Sequence, residues 1–290
     1  TNYLSKDFTM SMNPLSNYLR KPEIYIKLPS GGKWWPEGSL EIPPNGELPV
    51  LAMNGHDDLA MRNADGLMNG ASSVAVIQSC VPSIKNAWVG PNMDIEYLFV
   101  AIRIASYGNE MDTEGKCVKC KETTKFGIDL SGILEQMSFP DFETPVQIGE
   151  LFFVLKPASY QLTNLTNQQL FEKQRALLTV QSSDLTLEQK QSILKDTITK
   201  LGEITVSKLI EYIDYVIMPD GSRVYEREFL QEFIDQADRK SFDQLKKGIE
   251  NKNKQYRAPD LKFTCSNSEC KHENSVRFEF NPSNFFAADS

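Results

Sequence analysis

An α+β fold is predicted: a small β-rich domain closed by a split zinc ribbon, with a helical bundle inserted between the ribbon's halves. Three observations predict it. Two cysteine doublets stand far apart, Cys117-x2-Cys120 in GKCVKCKETTKFGIDL and Cys265-x4-Cys270 in FTCSNSECKHENSVRFEF. Each is followed by a polar turn and a period-2 alternation, Phe126, Ile128, Leu130 in one case and Val276, Phe278, Phe280 in the other. That is how a strand with one buried face reads. Between the doublets, residues 163–256 are poor in glycine and rich in Glu, Gln, Lys and Leu, which favours helices.

In chain order, residues 1–22 read as an extended arm with Pro14 and Pro22 and little periodicity. Its few apolar groups build no core of their own, so the arm is expected to order on a partner surface. Ile24–Leu28, Leu40–Ile42 and Leu48–Met53 read as short strands of a β-meander, with Gly31-Gly32 marking a tight turn before Trp34 and Trp35. HDDLAMRNADGLMNG predicts one short helix ended by Asn69-Gly70, and Ser72–Cys80 a second, stopped by Pro82. In DIEYLFVAIRIASYG, Ile95, Leu98, Phe99 and Ile102 fall on one helical stripe, with Tyr107-Gly108 at its end. Glu150–Lys156 (ELFFVLK) reads as a buried strand.

Residues 161–257 are predicted as an inserted bundle of about five helices. Thr166-x-x-Gln169, Thr186-x-x-Gln189 and Ser241-x-x-Gln244 have capping-box form. Val206, Leu209, Ile210, Ile213, Val216 and Ile217 fit one helical stripe, and Phe229, Leu230, Phe233, Ile234 and Ala237 the next. Residues 23–160 plus 258–290 form the mixed domain.

Cys117, Cys120, Cys265 and Cys270 are predicted to hold one structural Zn2+. Each turn supplies two thiolates, and four close a tetrahedral site with no open position for catalysis. His272 lies two residues beyond Cys270 and stands as a substitute ligand. A disulfide within each doublet is the alternative. The odd cysteine count with metal-like spacing fits a reducing compartment better than a secreted disulfide framework.

Other chemistry finds little material. Net charge is −8, against a broadly phosphate-binding surface. Lys116, Lys119, Lys121, Lys125 and Lys271 sit on the ribbon turns, so a zinc-ribbon nucleic-acid-binding protein is the alternative reading. A solvated lysine turn is the commoner meaning of such a cluster. No apolar run approaches the roughly 18 residues of a membrane span. His56 beside Asp57 and Asp58 suits a helix start better than a catalytic base, and Cys80 in VAVIQSC packs as a small apolar residue. PSGGKWW lacks the spacing of a phosphate loop. No enzyme is predicted.

The order of several stretches resembles the baseplate hub proteins of contractile-tailed bacteriophages of the T-even type. They are the strand into LPSGG, PVLAMNGHDDLAMRNADGLMNG, VIQSCVPSI, MDIEYLFVAIRIASYG and the C-x2-C turn. The likeness covers roughly residues 24–160, with the closing doublet near 260–285. Asn54-Gly55-His56-Asp57-Asp58 departs from the Thr-x-x-Asp-Glu-like start common in that family. The resemblance implies a structural and assembly role without catalysis. Its expected partners are other baseplate and hub, tail-tube or tape-measure proteins. Its expected place is the tail baseplate of the virion, after assembly in the host cytoplasm.

Overall fold

The fold is that of a computed structural model, which describes residues 14–182, 186, 188–189, 195, 208–278 and 285–286. Two hydrophobic clusters organise it. Helix α4 (Asn92–Tyr107) runs from one to the other, placing Met93 in the second and Ile95, Leu98, Phe99 and Ile102 in the first. The predicted stripe is correct but too narrow. Val100, Ala101, Arg103 and Ile104 are also buried, so α4 is a central helix covered nearly all round. Gly108, at φ 87, ends it, a conformation open to glycine without a Cβ clash.

Around α4 the first cluster collects β1 (Pro22–Ile26) and β2 (Leu48–Leu51), paired antiparallel, together with α1 (Gly55–Met61), α2 (Ala64–Met68) and α3 (Ala71–Cys80). The third strand expected over 40–42 is a single bridge between Leu40 and Ile84. Pro43 and Pro44 follow it and have no N–H for a ladder. The helix expected over HDDLAMRNADGLMNG is split in two because Asn63 caps α2, accepting the Gly66 amide at 3.2 Å.

Of the predicted arm, residues 1–13 lie outside the described residues. Its last part is held by the chain itself. The Arg20 guanidinium donates to the carbonyls of Ala52 and Ser79, the Ser79 hydroxyl and the Asp57 carboxylate, and Pro22 already belongs to β1.

Two hairpins follow α4, each leading into one of the cysteine turns: β3 (Glu110–Lys116) with β4 (Thr123–Asp129), and far along the chain β9 (Asp260–Thr264) with β10 (Glu273–Arg277). Phe280, the last of the predicted alternation, lies outside the described residues. Helix α5 (Leu130–Gln136) continues from β4 into the first cluster.

The second cluster departs most from expectation. A four-stranded antiparallel sheet runs in the order β5 (Val146–Ile148), β6 (Leu151–Leu155), β7 (Ile213–Ile217), β8 (Arg223–Val224). The stripe read as helix over 206–217 is helical only at 208–211 among the described residues, then becomes β7. A short apolar run rich in Ile, Val and Tyr fits either period, and pairing with β6 decides it. Residues 161–257 are therefore not helical throughout, and the sheet straddles the boundary placed at 160. Helix α6 (Tyr160–Ser182) is long, and α7 (Arg227–Gln236) and α8 (Arg239–Gln255) bury Leu230, Ile234, Leu245 and Ile249 in one cluster with Phe153, Leu155, Ile213 and Val216.

Of the three predicted capping boxes, Thr186 and Gln189 make both bonds. Thr166 instead lies inside α6, its hydroxyl donating to the Leu162 carbonyl. Asp238, not Ser241, caps α8 by accepting the Lys240 and Ser241 amides.

Candidate metal centre

The two hairpins turn by the same backbone scheme. Cys117 follows β3 and donates its amide to the Glu122 carbonyl at 2.8 Å; Cys265 follows β9 and donates to the His272 carbonyl at 2.9 Å. The residue after each second cysteine is a lysine in the left-handed region, Lys121 at φ 66 and Lys271 at φ 43. Each accepts the same local closure, donating its amide four residues back, to Cys117 and Asn267 respectively, at 3.0 Å. The looser C-x4-C spacing thus reflects a longer turn with the same ending, and Asn267 holds the place that Cys117 holds in the first.

The turns face each other, and their contacts exchange across an approximate two-fold relation. The amide after Cys117, that of Val118, donates to Asn274 Oδ1 at 3.0 Å. The amide after Cys265, that of Ser266, donates to Thr124 Oγ1 at 3.0 Å. Thr124 and Asn274 are both buried. Each stands four residues beyond the second cysteine of its own hairpin, a repeated position that sequence reading passed over. Below the turns, Phe126 and Phe263 stack with centroids 4.6 Å apart and planes at 8°. Gly115 makes room, since a Cβ there would stand 2.4 Å from the Phe263 ring.

This brings all four predicted cysteines together. Their sulfurs lie within 4.8 Å of one another, with Cys117 to Cys270 at 3.9 Å and Cys120 to Cys265 at 3.4 Å. A tetrahedron with metal–sulfur bonds of about 2.3 Å has edges of about 3.8 Å, so the donor set can hold a metal ion. The distances between doublets exceed the roughly 2.05 Å of a disulfide, and all five cysteines are free. His272 is outside the cluster; it contributes its carbonyl to the Cys265 amide.

The thiols are unequal. Hydrogen bonds from the Cys120 and Lys119 amides and the Asn274 side chain hold Cys117 down at about 6 against burial. At Cys265 the Asn267 amide pulls down, but burial and the neighbouring thiols together push it up to about 11. At Cys270 the His272 amide pulls down and the Cys265 thiol with it, but burial and the Cys120 and Cys117 thiols raise it. Four thiolates repel one another without a cation, and a bound divalent ion reverses that balance.

The remaining candidates are not drawn into a site. Cys80 is fully buried, and burial, then the charge of Asp57, pushes its thiol up to about 12, far from a nucleophile. His56 is exposed on the first turn of α1, where Asn54 and Asp57 form a capping box. Behind the Ser30-Gly31-Gly32 turn, the buried Asp94 carboxylate accepts the Ser30 amide and hydroxyl and the Trp35 indole N–H. A carboxylate there opposes phosphate binding. On the first hairpin, Lys125 pairs with Glu114 at 3.5 Å.

The family model for the T4 bacteriophage base plate protein matches residues 59–287. The chain belongs to that family. The matched span includes both cysteine doublets and the stretch between them, so the baseplate assignment covers the candidate metal centre. No curated protein and no solved structure matches. Among the described residues, no helix of this baseplate protein is long and apolar enough to cross a membrane.

Proposed function

We propose that the chain is a structural and assembly component of the baseplate hub. It links central hub, tail-tube or tape-measure proteins to neighbouring baseplate subunits, is assembled in the host cytoplasm, and catalyses no reaction. The family match through both doublets carries this reading. The four-thiol cluster supports it, because a closed cysteine set holds Zn2+ as a structural ion with no position left for substrate. Cys117, Cys120, Cys265 and Cys270 are the proposed ligands. The ion would tie the two hairpins, and so both ends of the intervening chain, into one fold.

Mass spectrometry of tails purified from a phage carrying this gene tests the role. A fixed small copy number per particle is expected. Normal tails from a phage lacking the chain would defeat the reading.

A further inference from the structure

The four-stranded sheet has one face in the second cluster and one that does not belong to it. Cross-strand registry separates them. One row, Val146, Phe153, Val216, Val224, runs through the core side, where Phe153 and Val216 are buried. The next row, Gln147, Phe152, Ile217, Arg223, points to the opposite face. Beside it lie the paired Val154 and Tyr215. A solvated sheet face ordinarily carries polar side chains. Here Phe152 is 36% and Tyr225 53% exposed, and Val154, Tyr215 and Ile217 are only half-buried.

One cation completes this face. The Arg223 guanidinium lies 5.0 Å from the Tyr215 ring centroid, and Tyr215 and Tyr225 rings stand 5.0 Å apart. Among the described residues Arg223 enters no ion pair. Its planar fork is therefore pre-positioned on aromatic rings with its charge uncompensated, a good setting for bidentate binding of a carboxylate. Tyrosine, arginine and large apolar groups together are the composition of interface centres.

We propose that this face docks a segment of a different tail protein, one that sets an Asp or Glu among apolar side chains. A second copy of this chain fits less well. The two rows contain no carboxylate, so a face-to-face pair would bury both guanidiniums without a counter-charge. The proposal rests on the assembly role above and names the surface through which it acts.

The test is photo-cross-linking in infected cells, with p-benzoylphenylalanine at position 152. A cross-link to another tail protein, next to an acidic residue, is expected. Arg223→Glu in the same background should lower its yield at least tenfold, and Arg223→Lys much less. The face is solvent-side, so both variants should keep the unfolding midpoint and metal content of the parent. If either loses them, the position-152 cross-link alone decides. Self-cross-links only, no cross-link, or an Arg223→Glu yield equal to the parent in a folded protein would overturn the proposal. Failure of the assembly role shows differently, as normal tails without the chain.

Discussion

The Val118 amide donates to Asn274 Oδ1 at 3.0 Å across 156 residues of sequence. With its counterpart from Ser266 to Thr124, it fixes the two cysteine turns against each other before any ion is considered. Both acceptors are buried, so losing one leaves a polar group without its partner, at about 1–3 kcal/mol. Asn274→Ala and Thr124→Val should each weaken zinc binding by about tenfold to a hundredfold, as removal of ligand-orienting groups does elsewhere. Ser275→Ala, at the exposed position next to Asn274, should do nothing. Competition titration with a chromophoric chelator reads this, and equal affinity for Asn274→Ala and the parent would show that the turns need no such clamp.

Gly115 and Gly127 lie on opposite strands of the first hairpin and make a matched pair. A Cβ at 115 meets the Phe263 ring at 2.4 and 2.5 Å, whereas one at 127 finds its nearest neighbour at 3.6 Å. Gly115→Ala must push Phe263 off its stack with Phe126, at about 1–3 kcal/mol. Gly127→Ala should be close to neutral. Chemical denaturation of both variants compares them, and equal midpoints would mean the stack yields without cost.

How much of this was legible in the sequence depends on how local each signal is. The cysteine doublets were readable because each turn is short and thiol chemistry narrows its meaning. Their meeting was an inference from ligand number, and the geometry places all four sulfurs together. β7 was not readable. Ile213–Ile217 is apolar at positions that satisfy both periods, and its partner β6 lies beyond α6 in the chain. Thr124 and Asn274 give no signal of their own in the sequence, because their roles exist only once the hairpins touch. Helix α4 was found but undervalued, since its polar-looking Asp94 and Arg103 turned out to be buried.

Glu96 supplies a pH test. Its oxygens accept the Tyr256 hydroxyl and the Asn92 amide, each at 2.6 Å. Burial outweighs these donors and raises its carboxyl above the usual range. A raised carboxyl holds its proton in the folded chain at pH values where the unfolded chain has released it. Its contribution is most favourable below the unfolded value of about 4.3 and is lost as pH rises through the folded value. Glu96→Gln removes that slope. The variant should therefore gain stability relative to the parent as pH rises above about 4, levelling off past the folded value. Taking the difference between the two proteins cancels the pH dependence of the cysteines. A difference that stays flat or falls would mean the two donors keep Glu96 ionised.

The second cluster decides whether residues 161–257 are separable. Phe153 is 0% and Leu155 2% exposed, and both belong to the cluster that Ile213, Val216, Leu230 and Leu245 complete. Replacing 161–257 by a flexible linker would expose them and remove β7, one of the two strands that pair with β6. At about 1.5–3 kcal/mol for each large apolar side chain, that loss approaches the lower end of a domain's whole stability of about 5–15 kcal/mol. The shortened protein is expected to aggregate, which size-exclusion chromatography detects. A soluble, monomeric, zinc-loaded product would establish the segment as an independent insertion.

The last prediction separates the split ribbon from two independent sites. If the four sulfurs share one Zn2+, each doublet alone supplies only half the ligands. Cys117→Ser and Cys265→Ser should then each abolish binding, although they lie at opposite ends of the intervening chain. His272→Ala should keep the metal, because His272 offers only its backbone carbonyl to the Cys265 amide. Binding at such sites is on the order of 10 kcal/mol or more, comparable to the whole stability of a domain. The two serine variants should accordingly lose solubility together with zinc, and a strong chelator should lower the unfolding temperature of the parent. Elemental analysis of the purified proteins gives the answer directly. Close to one zinc per chain in the parent and in His272→Ala, with none in either serine variant, is the expected pattern. Zinc retained by Cys265→Ser would show that the first hairpin finds its ligands elsewhere and that the two doublets do not meet around an ion.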